Sequence, residues 1–308
     1  MTTYLILGAS GFLGSQVHEA INRSTTPPAI VAVSRNPPRI PLPTNSSWVP
    51  LDLTRASVEE LVVLIQASRP DALINCAGRT SGTSEQLWEI NTTFVDNLIQ
   101  ALRVAGPTPL VHLGSAAEYG VQPEGVPISE SVKPEPVSNY GRSKLAATRK
   151  VLAATNDGDI AATVLRVFNP IGLRAPMDSL ARRAIDQLIL AQKHHRRSIS
   201  LGSLDSSRDF VAASDVANVV LQTTRLTEHD PVINVGSGHA LSCRTLVEML
   251  ADVAGFSGEI LETGDGSERS TDVPWQQADV SLLARNYNWV PKTPISQVVE
   301  ELWNSMVA

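Results

Sequence analysis

The sequence predicts an α/β fold, a doubly wound parallel sheet with a smaller, interleaved C-terminal lobe. Three observations predict it. Short apolar runs alternate with helical stretches through the first half of the chain. A glycine-rich turn, Gly8-Ala9-Ser10-Gly11-Phe12-Leu13-Gly14, joins the first run to the first helix. After Phe168 the alternation degrades at Pro170, Gly172 and Pro176.

The elements follow in order. Tyr4–Leu7, Ile30–Val33, Trp48–Leu51, Ala72–Asn75, Leu110–Leu113 and Ala161–Val167 have the length and apolar character of buried parallel strands. Between them, Phe12–Ile21, Val58–Ser68, Gln86–Val104 and Asn139–Ala154 read as helices. In Val58–Ser68 the apolar residues Leu61, Val62 and Ile65 share one face. Pro27-Pro28 breaks the first helix. Right-handed crossovers between parallel strands then place helices on both faces of one sheet. Leu180–Leu190, Asp215–Thr223 and the amphipathic Leu246–Ala254 read as later helices, Val232–Val235 as a strand, and the remaining tail as loop-rich. Residues 1–168 and 211–236 are thus assigned to the sheet domain, and 169–210 and 237–308 to the lobe.

Composition narrows the function. The chain has 308 residues, 43% hydrophobic and 18% charged, so it can bury a core without a disulfide or metal staple. Only Cys76 and Cys243 occur, with no Cys-x-x-Cys spacing, which excludes a disulfide scaffold and a zinc ribbon. The net charge of −6 gives no general attraction to nucleic acid or anionic membranes. No apolar run approaches the ~20 residues that cross a bilayer. No basic residue precedes the first apolar run, as a signal peptide would require, so a cytoplasmic protein is expected. The six histidines show no metal-binding spacing, and the adjacent His194 and His195 point apart on a helix. No metal is expected.

The glycine turn carries the first chemical signal. Gly8 permits the tight turn, Gly11 lets a pyrophosphate approach the positive helix end, and Gly14 allows close helix–strand packing. Together with Ser10, Phe12 and Leu13 they form a candidate dinucleotide cradle. The second strand ends in Ser34-Arg35-Asn36, where an NAD site usually carries an acid. Arg35 can pair with a 2′-phosphate and Ser34 can hydrogen-bond it, so NADP(H) is expected. Asp52, before Leu53, reads either as an acceptor for the adenine amino group or as a helix cap. Cys76, Ala77 and Gly78 let the backbone pass close to the cofactor, and Cys76 reads as a small filler rather than a nucleophile.

Tyr140-Gly-Arg-Ser-Lys144 carries the second signal, because positions four apart share a helix face. A free phenol has a pKa of about 10, and a neighbouring ammonium lowers it. Ser115 closes the fifth strand at the carboxyl edge, where doubly wound sheets bind ligands. Its hydroxyl can reach the same substrate oxygen as the phenol. Ser115, Tyr140 and Lys144 are the candidate catalytic residues.

In order and spacing these motifs resemble the extended, nucleotide-sugar-modifying branch of the short-chain dehydrogenase/reductase superfamily, the epimerase/dehydratase-like group. Arg166-Val-Phe-Asn169-Pro-Ile-Gly172 resembles its crossing segment into the sugar-nucleotide lobe. Arg208-Asp209-Phe210-Val211 with Asp215 resembles its diphosphate-contacting motif, and Asn234-Val-Gly-Ser-Gly238 its late strand and turn. Gly114-Ser-Ala-Ala-Glu-Tyr-Gly120 and Arg269-Ser-Thr-Asp272-Val-Pro look most like the GDP-4-keto-6-deoxymannose reductases and related 4-ketoreductases.

The resemblance implies a Rossmann domain and hydride transfer from NADPH to C4 of a GDP- or dTDP-linked 4-keto-6-deoxyhexose. It implies proton donation by Tyr140, a ribose contact by Lys144, and a hydrogen bond from Ser115. Arg208 and Arg269 would meet the diphosphate, and Asn169 the sugar nucleotide. Glu118 reads either as a sugar contact or as a solvated acid. Ala116-Ala117 stand where 4,6-dehydratases carry Asp-Glu, which argues against dehydration. Arg35 argues against an epimerase that recycles bound NAD, the alternative enzyme reading. A non-catalytic cofactor sensor would have no need of Ser115, Tyr140 and Lys144 together. A homodimer is also implied, through a four-helix interface of helices near Gln86–Val104 and Asn139–Ala154, whose outer faces carry apolar residues. Trp275 and Trp289 read as core residues or as covers for a base.

Overall fold

A computed structural model describes residues 2–225, 230–263 and 273–307. The N-terminal half contains β1 (Thr3–Leu7), α1 (Phe12–Asn22), β2 (Ala29–Ser34), β3 (Ser47–Pro50), α2 (Val58–Ser68), β4 (Ala72–Asn75), α3 (Ser84–Trp88), α4 (Phe94–Ala105), β5 (Leu110–Ser115), α5 (Asn139–Asn156) and β6 (Ala162–Val167). The C-terminal half contains β7 (Asn169–Ile171), α6 (Leu180–Lys193), β8 (Ser198–Leu201), β9 (Ser207–Ala212), α7 (Ala213–Thr223), β10 (Val232–Val235), β11 (Ala240–Ser242), α8 (Cys243–Val253), β12 (Glu259–Glu262), α9 (Ser281–Tyr287) and α10 (Ile295–Val307).

Seven strands form one sheet in the order β10-β6-β5-β4-β1-β2-β3, with every adjacent pair parallel. The winding reverses between β1 and β4, and a doubly wound sheet opens its ligand crevice above the carboxyl ends at such a switch. Strand alternation builds two cores. Tyr4 and Ile6 of β1 join α1, α7 and α9 on one face, while Leu5 and Leu7 join α2, α4 and α5 on the other. α2 is fixed locally by a capping box, in which Ser57 and Glu60 each accept from the other's backbone N–H.

The lobe has its own core around Ile185, Leu188, Leu246, Leu250, Val299 and Leu302. It holds a three-stranded sheet, β11-β9-β7, and a parallel pair, β12-β8. Asp209 of β9 fastens the late strand turn to the lobe. Its carboxylate accepts from Ser237 N, Ser237 Oγ, Gly238 N and Ala278 N at 2.6–2.9 Å. Asp215 does the same for the segment before α10, accepting from the Lys292 and Thr293 backbone N–H groups and from Thr293 Oγ1.

The structure departs from the expected elements in four places. The single helix expected over Gln86–Val104 is divided: α3 gives way to a widened π turn at Glu89–Thr93 before α4 begins. The tail read as loop-rich carries β12, α9 and α10. The assignment of 237–308 to the lobe fails at Leu283, Tyr287 and Trp289, whose large side chains pack into the sheet domain's core beside α1 and α7. The outer faces near Gln86–Val104 and Asn139–Ala154 expose the apolar Trp88 and Val104, but most of the residues exposed there are polar. Thr93, Gln100, Arg103, Arg142, Arg149 and Lys150 are exposed there, while Leu87, Ile90, Phe94, Leu98 and Leu102 turn inward. Trp275 and Trp289 are both 5% exposed and belong to cores. Among the described residues no helix is long and apolar enough to cross a membrane.

Asp209→Asn keeps the shape but turns an amide donor toward N–H groups that need an acceptor. It should lower unfolding free energy by about 1–3 kcal/mol in a denaturant titration.

Candidate active site

A cavity of about 850 Å³ lies between the carboxyl ends of the sheet and the lobe. Gly11, Phe12, Leu13, Cys76, Ala77 and Gly78 line one end, Ser115, Tyr140 and Lys144 the middle, and Asn169, Arg183 and Arg208 the lobe side.

The glycine turn fits a dinucleotide phosphate on physical grounds. Gly8 has φ +78, and a Cβ there would meet Ala77 N at 2.8 Å. A Cβ at Gly14 would collide with the Gly8 carbonyl. The turn is therefore pressed against the β4 end with its backbone bare. α1 begins at Gly11 with no side-chain cap, so its first N–H groups face the cavity without an internal side-chain acceptor. Asn75 stiffens the opposite rim: its Oδ1 accepts from Ala77 N at 3.0 Å and its Nδ2 lies 3.1 Å from His112 Nδ1. Burial pushes the Cys76 thiol up to about 12, which suits a filler and not a thiolate nucleophile.

Ser115 ends β5. Its Oγ accepts from Ala117 N at 3.2 Å, which leaves the hydroxyl proton to donate. α5 starts at the Ser138 cap, whose Oγ accepts from Gly141 N at 3.1 Å. Gly141 sits between Tyr140 and Lys144, and a Cβ there would run into the Ala117 carbonyl. The helix carrying the phenol can therefore lie directly on the turn carrying the serine. Lys144 is 4% exposed and donates to Leu113 O at 2.5 Å. Burial lowers its pKa to about 8, against the opposing pull of Glu118 and Cys76.

Several expected site residues have other duties. Ser34 Oγ donates to Asn36 O at 2.7 Å and lies 3.3 Å from Trp48 Nε1, so its only proton is already committed inside the turn and not to a phosphate. Asp52 accepts from Thr54 N and Oγ1, and that hydroxyl bond leads in holding its carboxyl low. It does not cap α2, which Ser57 does. Leu53 is buried in the core beside α2. Ser10 is exposed and Arg35 is exposed near Asp52. Glu118 is neither a sugar contact nor a solvated acid. It is fully buried beneath the cavity, where Arg166 and Ser115 N–H occupy its oxygens. Arg269 lies outside the described residues.

Two site residues escaped the sequence reading. Arg183 of α6 lines the cavity, and its buried Nε has no hydrogen-bond partner among the described residues. Asn91, in the π turn, accepts from Arg79 N and donates to Arg79 O and Ser143 Oγ, tying the cavity rim to α5. Such π turns recur at functional sites, but a helix-like run gives no hint of one. Arg208 is 4% exposed, lines the cavity, and donates to Ser207 O at 2.8 Å. Asn169 also faces the cavity, with Nδ2 3.4 Å from Asp209 O. Among the described residues no group of three His, Cys, Asp or Glu could hold a metal ion.

The model of the NAD dependent epimerase/dehydratase family matches residues 4–236. The chain belongs to that family. A family relative, dTDP-6-deoxy-L-talose 4-dehydrogenase (NAD(P)(+)) of Kitasatospora kifunensis, is 33% identical over 97% of this chain and 94% of its own. GDP-6-deoxy-D-mannose reductase of Pseudomonas aeruginosa is 28% identical over 98% of this chain and 97% of its own. The solved structure of RMD from Pseudomonas aeruginosa complexed with NADPH superposes with TM-score 0.84 at 27% identity, covering 99% of this chain and 98% of that one. These family members bear out the expectation of an extended short-chain dehydrogenase/reductase, an NAD(P)-dependent oxidoreductase acting on nucleotide sugars.

Gly141→Ala should lower kcat by about 10²-fold, because lifting α5 misplaces the phenol relative to Ser115. Retained kcat in a correctly folded variant would contradict the close-approach argument. Lys144 also sets a pH dependence. Its ammonium is present below a pKa of about 8 and lost above it. Nicotinamide-cofactor affinity, followed by fluorescence, should therefore fall as pH rises through about 8 and stay level on the acid side.

Proposed function

We propose that the protein reduces the 4-keto group of a nucleotide-diphosphate-linked 4-keto-6-deoxyhexose, GDP- or dTDP-linked, with NADPH as reductant. The observation that carries this reading is the convergence of Ser115, Tyr140 and Lys144 on one cavity, beside Ala116 and Ala117 rather than carboxylates. Without carboxylates there, the site lacks the acid and base that eliminating water would need. Reduction needs only a hydride on carbon and a proton on oxygen.

The nicotinamide, when bound, supplies the hydride. Ser115 donates a hydrogen bond to the carbonyl oxygen and stabilises the charge that grows there. Tyr140 delivers the proton to that oxygen and recovers one from solvent. Lys144, anchored on Leu113 O, presents its ammonium beside the phenol and toward the cofactor ribose. Gly11, Phe12 and Leu13 offer the helix end to the pyrophosphate. Arg208 and Arg183 meet the substrate diphosphate, and Asn169 contacts the sugar nucleotide. A bound dianion offsets the cost of burying these guanidiniums. Arg35, on the exposed end of β2, receives the 2′-phosphate, which favours NADPH over NADH. The relatives that act on 6-deoxysugars support the substrate class, and the NADPH-bound neighbour supports the reductant.

The test is NADPH oxidation by purified protein offered GDP-4-keto-6-deoxymannose and dTDP-4-keto-6-deoxyglucose in parallel. The wild type should turn over one of them. Tyr140→Phe should lose at least about 10²-fold in kcat while still binding cofactor. Undiminished turnover by Tyr140→Phe would overturn the mechanism. Absence of oxidation with either sugar, in protein shown to bind NADPH, would overturn the substrate assignment.

A further inference from the structure

Two charged residues that the proposed chemistry does not use lie directly under it. Glu118 follows β5 in a short turn, and Arg166 is on β6. Their side chains are 0% and 4% exposed, and Arg166 Nε donates to Glu118 Oε2 at 2.9 Å. An ion pair taken out of water is seldom the most stable filling for such a space, since apolar residues of similar volume commonly do as well or better. Its connections show another use.

Glu118 Oε1 accepts from Ser115 N at 2.8 Å and from Thr148 Oγ1 at 3.1 Å. Ser115 is the end of β5, and Thr148 lies one turn beyond Lys144 on α5. One carboxylate therefore grips the strand that carries the hydroxyl and the helix that carries the phenol and ammonium. Arg166 holds the carboxylate from the other side. Its guanidinium carbon lies 4.5 Å from the centre of the Tyr119 ring, and Tyr119 Oη donates to Asn234 Oδ1 at 2.7 Å. Gly114 leaves the space, since a Cβ there would meet Glu118 Oε1 at 2.8 Å.

We propose that Glu118, braced by Arg166, is a positioning residue that sets Ser115 against Tyr140 and Lys144 and supplies the counter-charge for the Lys144 ammonium. The proposal rests on the reading of those three residues as catalytic. The charged and titratable groups around Lys144 are Glu118 below β5, Cys76 after β4, His112 on β5, and Tyr140 on its own helix. Of these, Glu118 favours the ammonium, burial opposes it, and His112 stays neutral, its pKa held well below the ordinary value by desolvation first. Arg166 faces Glu118 and Tyr119, so the carboxylate answers two cations at once.

The test compares wild type, Glu118→Gln and Thr148→Val. Binding of NADPH and of NADH is followed by fluorescence across the alkaline range, and kcat and KM are measured with whichever 4-keto sugar the wild type reduces. Glu118→Gln keeps an acceptor for Ser115 N but removes the charge. It should lower the alkaline midpoint of cofactor binding by about one pH unit or more, and lower kcat by about 10²-fold with little change in sugar KM. Thr148→Val removes one bond to the carboxylate and no charge. It should lower kcat several-fold and leave the midpoint in place. A Glu118→Gln protein that folds with an unmoved midpoint and unchanged kcat overturns the proposal. If that variant does not fold, Thr148→Val with wild-type kcat overturns it. The cofactor-binding midpoint needs no sugar. A wild type that reduces neither sugar therefore counts against the proposed substrate, while the midpoint still decides for or against Glu118.

Discussion

The site depends on one close approach, that of the first turn of α5 to the turn that follows β5. Gly141 allows it, because any side chain at that position would strike the Ala117 carbonyl. Once the two backbones touch, the phenol of Tyr140 and the hydroxyl of Ser115 share the cavity. Lys144, one turn on, is then forced under the sheet edge, where it donates a hydrogen bond to Leu113 O. Burial lowers the lysine's pKa, and the anion of Glu118 restrains the fall. The lysine's lowered pKa is thus a product of packing, with burial and the Glu118 carboxylate acting in opposite directions.

The rest of the architecture serves this contact. The sheet provides parallel strand ends on one rim, and the winding reversal between β4 and β1 opens the crevice beside them. The bare glycine turn and uncapped α1 supply one wall. The lobe supplies the other, and Asp209 and Asp215 tie it down by satisfying backbone N–H groups from distant segments. Arg208 and Phe210, which flank Asp209, line the cavity, so the same short stretch both fastens the lobe and presents Arg208 to the cavity.

What was legible in the sequence is what depends on short range. The apolar runs marked all seven strands of the main sheet because parallel strands are buried on both faces. Gly8, Gly11 and Gly14, Tyr140 and Lys144, and Ser115 were legible because their chemistry fixes their spacing. What failed depends on long-range partners. Nothing near Asn91 signals a π turn, or that Asn91 bonds the Arg79 backbone and Ser143. Glu118 reads as a sugar contact or a solvated acid until Arg166, forty-eight positions away, is brought beside it. Ser34 reads as a phosphate donor until Asn36 and Trp48 are seen to claim it. The tail reads as loop because α9 is a single short helix and β12 finds its partner, β8, only across the lobe. Arg183 stands out only once α6 turns it into the cavity.

In the proposed reaction the cavity moves a hydride from a dissociable nicotinamide cofactor to the sugar and does not return it. The most direct measurement uses NADPH carrying deuterium at both C4 positions of the nicotinamide, with the 4-keto sugar nucleotide and purified protein, and follows the label by NMR. Reduction at C4 places deuterium on C4 of the product sugar, in amount equal to the cofactor oxidised. Sugar interconversion with no net cofactor oxidation and no deuterium at C4 would contradict it and make the site an epimerase.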